Sequence, residues 1–293
     1  MPLDLTQGRL TQAQIDRYWQ DGFLHPIRAL APEEAAAARA EIEGIEAKWL
    51  DNGLPQPLGT YKRLNSHVVM QMAARISRDA RILDVVEGVL GPDIMLYSAE
   101  FFIKEPKTLH IVSMHQDLTY WGLGAIDGLV TAWLALSPAS VASGCMDFVA
   151  SSHKNPILPH TDTYDDNNLL SRGQEIEVDI APEDRVPIEL APGEFSLHHG
   201  LTIHGSGPNS SDDRRIGLVF RYIRPDMAQE VGADKDYAML VRGEDRYHNF
   251  KHVPGPTEDF DPSALALHEE IRRAQAAVMM KGAKGGSTDG MYD

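Results

Sequence analysis

"GEFSLHHGLTIHGSGPN", residues 193–209, and "DDRRIGLVFRYI", residues 212–223, decide the fold. Each contains a short run of β-branched and aromatic residues. The run ending at His204 meets Gly205, Ser206, Gly207, Pro208 and Asn209, a dense turn signal. Two such runs around one turn read as a hairpin, which brings an arginine beside the strand that carries His204.

Outward from this pair, "IMLYSAEFFIK" (94–104), "LVTAWLALS" (129–137) and "MDFVAS" (146–151) share the same texture. Short strands at such spacing, split by Gly, Pro, Ser and Asn clusters, predict a mainly β fold, a barrel or double-sheet jelly roll, over about 93–225. Residues 10–91 read mainly as helix. "LTQAQIDRYWQDG" opens on a capping box at Thr11 and Gln14 and stops at Gly22. "APEEAAAARAEIEGIEAKWL" places Pro32 near its first turn, and "DARILDVVEGVLG" lies between a cap at Asp79 and a stop at Gly91. A polar stretch at 160–175 reads as a long loop of the lid or binding type. A last helix is expected at about 262–281, with a disordered tail at 282–293. The whole chain, 1–293, reads as a single domain.

Composition narrows the partners. Lys and Arg total 27 against 43 Asp and Glu, a net charge of −16. That balance argues against nucleic acid and against docking on anionic membranes, and its plain reading is acidic solubility. The single cysteine, Cys145, excludes an intramolecular disulfide. With no signal-like N-terminus and no long apolar run, the expected location is a reducing cytoplasm. Oligomeric state is not legible.

The chemistry begins at "SMHQDLTYWG", residues 113–122. If this stretch is extended, His115 and Asp117 project from one face and Gln116 from the other. An H-x-D pair alone is a weak signal. It gains weight from His204 downstream, because two histidines and one carboxylate hold Fe(II) on one face and leave positions open. Arg215 follows His204 by eleven residues. A buried arginine needs an anion, and its planar fork suits a carboxylate. Fe(II) plus an arginine for the far carboxylate of a 2-oxo acid points to 2-oxoglutarate as cosubstrate, with O2.

The chain resembles the phytanoyl-CoA dioxygenase family of Fe(II)/2-oxoglutarate-dependent oxygenases over roughly residues 10–225. The likeness rests on "LTQAQIDRYWQDGFL", "HQDLTYW", "SGCMDFVASSHK" and "LAPGEFSLHHGLTIHGSGPN…RR". It implies a double-stranded β-helix of the cupin-like jelly-roll type with flanking helices. It implies iron on His115, Asp117 and His204, and Arg215 with Ser206 on the C5 carboxylate of 2-oxoglutarate, which ends as succinate and CO2. Trp121 matches an aromatic that lines the iron site in some members. Where the family has P-G-S-H, this chain has Ala150, Ser151, Ser152 and His153, a drift that touches loop geometry. Halogenating relatives lack the H-x-D aspartate, so Asp117 implies hydroxylation or a related oxidation of a small-molecule substrate.

Other residues carry competing readings. Arg214 and Arg215 face opposite ways on a strand, and spacing selects Arg215, with surface pairing to Asp212 or Asp213 as the alternative. His198, six residues before His204, lies roughly 20 Å away if the strand stays extended, too far to share a metal ion. His199 faces a loop. Tyr120 and Trp121 are either pocket wall or core. Thr131, Trp133 and Ser98 point inward and either border the cofactor or pack the core. Lys62, Arg63, Asn65 and His67 lie where the family builds its entrance. The other classes open to the same residues are a vestigial, non-catalytic β-barrel binding protein and a Zn(II) hydrolase.

Overall fold

The structure is a computed structural model and describes residues 1–50, 53–119, 121–124, 127–163, 165, 167–170, 173–230 and 234–279. The first helix, Gln12–Asp21, forms as its cap predicts. Thr11 Oγ1 accepts from Gln14 N at 3.3 Å, and Gln14 Oε1 accepts from Thr11 N at 2.8 Å. Gly22 then ends it in the left-handed region, φ +88°, which a residue with a Cβ resists. Pro32 opens Pro32–Trp49, and Asp79 caps Ala80–Leu90 by accepting from Arg81 N. The apolar stripes of these helices, among them Ile42, Ile45, Val85 and Val86, are buried in one core.

The strands, in chain order, are β1 (Phe23–Arg28), β2 (Ile94–Lys104), β3 (Val112–His115), β4 (Leu129–Ala135), β5 (Met146–Val149), β6 (His160–Asp162) and β7 (Gln174–Ile176). They continue with β8 (Arg185–Ile188), β9 (Glu194–His199), β10 (His204–Ser206), β11 (Arg215–Ile223), β12 (Tyr237–Arg242) and β13 (Lys251–His252). Among the described residues a large sheet runs β1-β9-β4-β11-β2-β12-β13 and a small one β3-β10-β5-β8. Alternation along the large sheet divides its two faces. Phe101, Leu134, Leu197, Leu218 and Phe220 join the helical core. Phe102, Trp133 and Val219 turn the other way and pack with Val112, Met146 and Phe148 of the small sheet. This is the double-stranded β-helix that the resemblance implies, with helices flanking its large sheet.

The sheet reaches beyond the bounds expected from sequence. β1 sits within the helical N-terminal stretch yet pairs with β9, and β12 lies past residue 225 yet pairs with β2. β1 is an edge strand and needs only one partner, whereas β12 takes β2 on one side and β13 on the other. The polar stretch at 160–175 begins with β6 and ends with β7, which pair antiparallel. The last helix is Pro262–Met279, and the expected tail at 282–293 lies outside the described residues. No helix among the described residues is long and apolar enough to cross a membrane.

One glycine makes room for an indole from the neighbouring strand of the large sheet. A Cβ on Gly217 of β11 would sit 2.0 Å from Trp133 Cζ2 and 2.4 Å from Cε2. The indole lies over the position that any larger residue would fill. Gly217→Ala therefore overpacks the interior and costs about 1–3 kcal/mol. At about 2–4 °C per kcal/mol for a chain of this size, a melting curve should fall by several degrees.

Candidate active site

Sheet register assembles the site. On the large sheet His198 of β9 stands opposite Thr131 of β4, Thr131 opposite Arg221 of β11, and Arg221 opposite Ser98 of β2. Further along the same face Arg215 stands opposite Lys104. On the small sheet His204 stands opposite His115, with ring centroids 4.1 Å apart. Between the sheets lies a cavity. His115, Asp117 and His204 line it, as do Ser206 and Arg215.

His115 is the last residue of β3, and Asp117 opens a 3-10 turn, Asp117–Thr119, so the pair does not share one strand as expected. The side chains still converge. Gln116 points away, donating to Leu201 O at 3.0 Å and accepting from Leu158 N at 2.8 Å. His204 begins β10 rather than ending a strand. All three ligand candidates are buried, with one atom from each within 4.8 Å of the others.

Their protonation states follow from their neighbours. His115 Nδ1 lies 2.8 Å from Ser113 O, and His204 Nδ1 lies 2.9 Å from Thr202 O. A carbonyl only accepts, so each Nδ1 carries a proton and Nε2 is the ring nitrogen left to face a metal. Those Nε2 atoms stand 3.6 and 3.9 Å from Asp117 Oδ1, too far for hydrogen bonds. Asp117 Oδ2 accepts from Thr131 Oγ1 at 3.0 Å. Burial works to raise the Asp117 pKa. The charge of Arg221 and the imidazoles of His115, His198 and His204 outweigh it and hold the carboxyl well below its usual range. Burial, then His115 and His198, push His204 well below the usual imidazole value, so it stays neutral. Two imidazole nitrogens and one carboxylate oxygen, aimed at one point, fit a divalent iron. Thr131 supports the carboxylate, so Thr131→Val should weaken Fe(II) binding by ~10-fold or more in a metal titration.

His198 corrects the sequence-based distance. Its ring centroid is 4.6 Å from that of His204, and its Nε2 lies 3.5 Å from Asp117 Oδ2. The chain does not stay extended between them. It turns at 199–202, where Thr202 N donates to His199 O, and crosses from the large sheet to the small one. Neither ring nitrogen of His198 completes a hydrogen bond. His199 meets Asp127 in the turn before β4, with 3.1 Å between Nε2 and Oδ1.

Arg215 is 1 % exposed. Its Nη1 donates to Gly144 O at 2.5 Å, its Nε has no partner, and its guanidinium lies 5.2 Å from the Trp133 ring centre. Arg214 faces out and bridges Glu46 and Glu105 rather than Asp212 or Asp213. Thr131 and Trp133 both line the cavity. Ser98 does not: its hydroxyl donates to Glu100 Oε1 and accepts from Arg221 Nη1. Trp121 also lies off the cavity lining, under the Arg221 guanidinium at 4.5 Å. Tyr120 lies outside the described residues. Lys62 pairs with Glu46, Arg63 packs on the Phe102 ring, and Asn65 and His67 are buried in the helical layer.

Sequence reading passed over Arg221 and Lys104. Arg221 lines the cavity with one Nη 3.6 Å from Asp117 Oδ1 and the other 2.6 Å from Glu100. Its signal was available, since it follows Arg215 by six on one strand and must share its face. Lys104 reaches Ser206 only through the β2–β11 register, which no local pattern shows.

A buried two-histidine, one-carboxylate centre inside a double-stranded β-helix defines a non-haem metal oxygenase scaffold. The phytanoyl-CoA dioxygenase (PhyH) family model matches residues 18–217. The chain belongs to that family of Fe(II)/2-oxoglutarate-dependent oxygenases. It is 27% identical to a probable phytanoyl-CoA dioxygenase of Caenorhabditis elegans over 159 residues, 52% of this chain and 51% of that one. It is 31% identical to the peroxisomal phytanoyl-CoA dioxygenase of Bos taurus over 185 residues, 59% of this chain and 53% of the relative. The chain thus spans about half the length of these curated relatives. Among solved structures, the non-heme monooxygenase ThoJ in its apo form is similar with a TM-score of 0.81 and 32% identity, covering 91% of this chain and 97% of that one.

Proposed function

We propose that this protein is an Fe(II)/2-oxoglutarate-dependent dioxygenase that hydroxylates a small molecule. One observation carries the reading. A cavity lined by a two-histidine and carboxylate triad is also lined by a buried arginine with no carboxylate within ion-pair distance among the described residues. The names of the similar proteins, dioxygenases and a non-heme monooxygenase, point to the same chemistry.

In this reading His115 Nε2, His204 Nε2 and Asp117 Oδ1 hold the iron. Arg215 and Ser206 take the distal carboxylate of 2-oxoglutarate. When bound, iron and 2-oxoglutarate supply the oxidising power: O2 is reduced, 2-oxoglutarate becomes succinate and CO2, and one oxygen atom goes to the substrate. The chain's own task is positioning. The backbone carbonyls of Ser113 and Thr202 fix the imidazole tautomers. Thr131 holds one carboxylate oxygen of Asp117 so that the other faces the metal. Arg221, with one Nη 3.6 Å from Asp117 Oδ1, balances the charge of that carboxylate and is itself held by Glu100, Ser98 and the Trp121 face. Phe102, Val112, Met146 and Val219 form apolar walls that keep water from the reacting atoms.

The test is succinate release. Protein supplied with Fe(II), 2-oxoglutarate, ascorbate and air should form succinate slowly without a second substrate. A chelator should stop it, and the true substrate should speed it. Well-folded protein that consumes no 2-oxoglutarate under any of these conditions contradicts the reading.

A further inference from the structure

Lys104 closes β2 and is 0 % exposed. Its Nζ donates to Ser206 Oγ at 2.7 Å, to Ser206 O at 3.3 Å and to the carbonyl of Gly207. Among the described residues no carboxylate forms an ion pair with it, and none pairs with Arg215 across the β2–β11 ladder. Two buried cations side by side without an anion are costly, and a site retains them only where an anion arrives. Burial, followed by the charge of Arg215, pulls the Lys104 ammonium down to about 6, while Cys145 and Asp147 pull the other way. A carboxylate arriving in the cavity favours the charged form, and it is as the ammonium of the anion-filled site that Lys104 acts.

The direction of the hydrogen bond matters. An ammonium has protons to give and no lone pair to offer. By donating to Ser206 Oγ it occupies one lone pair of that oxygen, and the hydroxyl proton must point elsewhere. Ser206 lines the cavity that Arg215 also lines.

We propose that Lys104 is a positioning residue that turns the Ser206 hydroxyl proton into the cavity, toward the distal carboxylate of the 2-oxo acid, and adds a second positive charge behind Arg215. The inference rests on the 2-oxoglutarate reading and deepens it. The cradle is built for a dicarboxylic 2-oxo acid and discriminates against one that lacks the far carboxylate.

The experiment is calorimetric titration of the Fe(II)-loaded protein without oxygen, using 2-oxoglutarate and 2-oxopentanoate, which has the same chain length and no distal carboxylate. The unaltered protein should bind 2-oxoglutarate more tightly. Lys104→Met should weaken 2-oxoglutarate by about tenfold or more, the scale of a hydrogen bond to a charged group, and leave 2-oxopentanoate within about twofold. Ser206→Ala should do the same, and the double variant should be no weaker than the worse single one, because both act through one hydroxyl. If Lys104→Met binds 2-oxoglutarate like the unaltered protein while Arg215→Met loses it, Lys104 only braces the turn and the inference is overturned with the cofactor reading intact. If Lys104→Met does not fold, Ser206→Ala decides, and unchanged 2-oxoglutarate affinity overturns the proposal. No preference for 2-oxoglutarate in the unaltered protein removes the cofactor reading and the inference together.

Discussion

Replacing His204 by alanine removes Fe(II) binding and all 2-oxoglutarate turnover, while the metal-free protein stays folded. The imidazole is one of three donors that converge on one point among the described residues, and its Nδ1 is committed to Thr202 O. Loss of a direct ligand should exceed the ~10–100-fold that loss of a supporting hydrogen bond costs a metal site. The surrounding structure does not depend on it. β10 keeps its ladders to β3 and β5, and Phe148, 5.9 Å from the ring, remains in the apolar cluster between the sheets. His198→Ala is the control, since its ring is only 4.6 Å from that of His204. It faces Asp117 Oδ2, the oxygen already bonded to Thr131, rather than the oxygen nearest the two ligand nitrogens. Its removal should leave iron bound. Metal content after gel filtration, with circular dichroism for folding, measures both. Equal iron in the His204→Ala variant and the unaltered protein would show that the triad is not the metal site.

Arg215→Met has the second large effect, and it acts in two directions. Burial pulls the guanidinium down to about 10, and its one carbonyl contact offers no countercharge. Replacing it with an apolar side chain of similar length should make the metal-free protein about 1 kcal/mol or more stable, because an uncompensated buried charge is gone. The same change should cost about 3 kcal/mol of 2-oxoglutarate binding, roughly a hundredfold, as expected when one member of a buried hydrogen-bonded charge pair is removed. Iron affinity should not move, since Arg215 is no neighbour of the ligand atoms. Thermal melting and anaerobic 2-oxoglutarate titration measure the two arms. A variant that is less stable and binds 2-oxoglutarate normally would make Arg215 a structural brace.

What could be read in the sequence, and what could not, divides along a physical line. Helix ends were legible because caps are local: Thr11 with Gln14, Asp79, and Gly22 act within a few residues of themselves. β2, β4, β5, β9 and β11 were legible because their period is local too, but the hairpin expected around 205–209 does not form: β10 and β11 lie in different sheets. The triad emerged because H-x-D and a downstream histidine form a spaced pattern that resembles a family's. The error at His198 came from extending a strand through Gly200, where the chain in fact changes sheets. Linear distance cannot foresee a crossover. Lys104, Arg221 and strand β12 escaped for the same reason, as each takes its meaning from a partner more than a hundred residues away in sequence, apart from the inward parity that links Arg221 to Arg215.

The central claim is that iron and 2-oxoglutarate meet on His115, Asp117 and His204. The most direct measurement is visible absorption during an anaerobic titration of the purified protein, first with Fe(II), then with 2-oxoglutarate. Chelation of the 2-oxo acid to iron produces a weak metal-to-ligand charge-transfer band. The account predicts that band in the unaltered protein and its absence in the His204→Ala variant. A folded, iron-loaded protein that gives no band with saturating 2-oxoglutarate contradicts it.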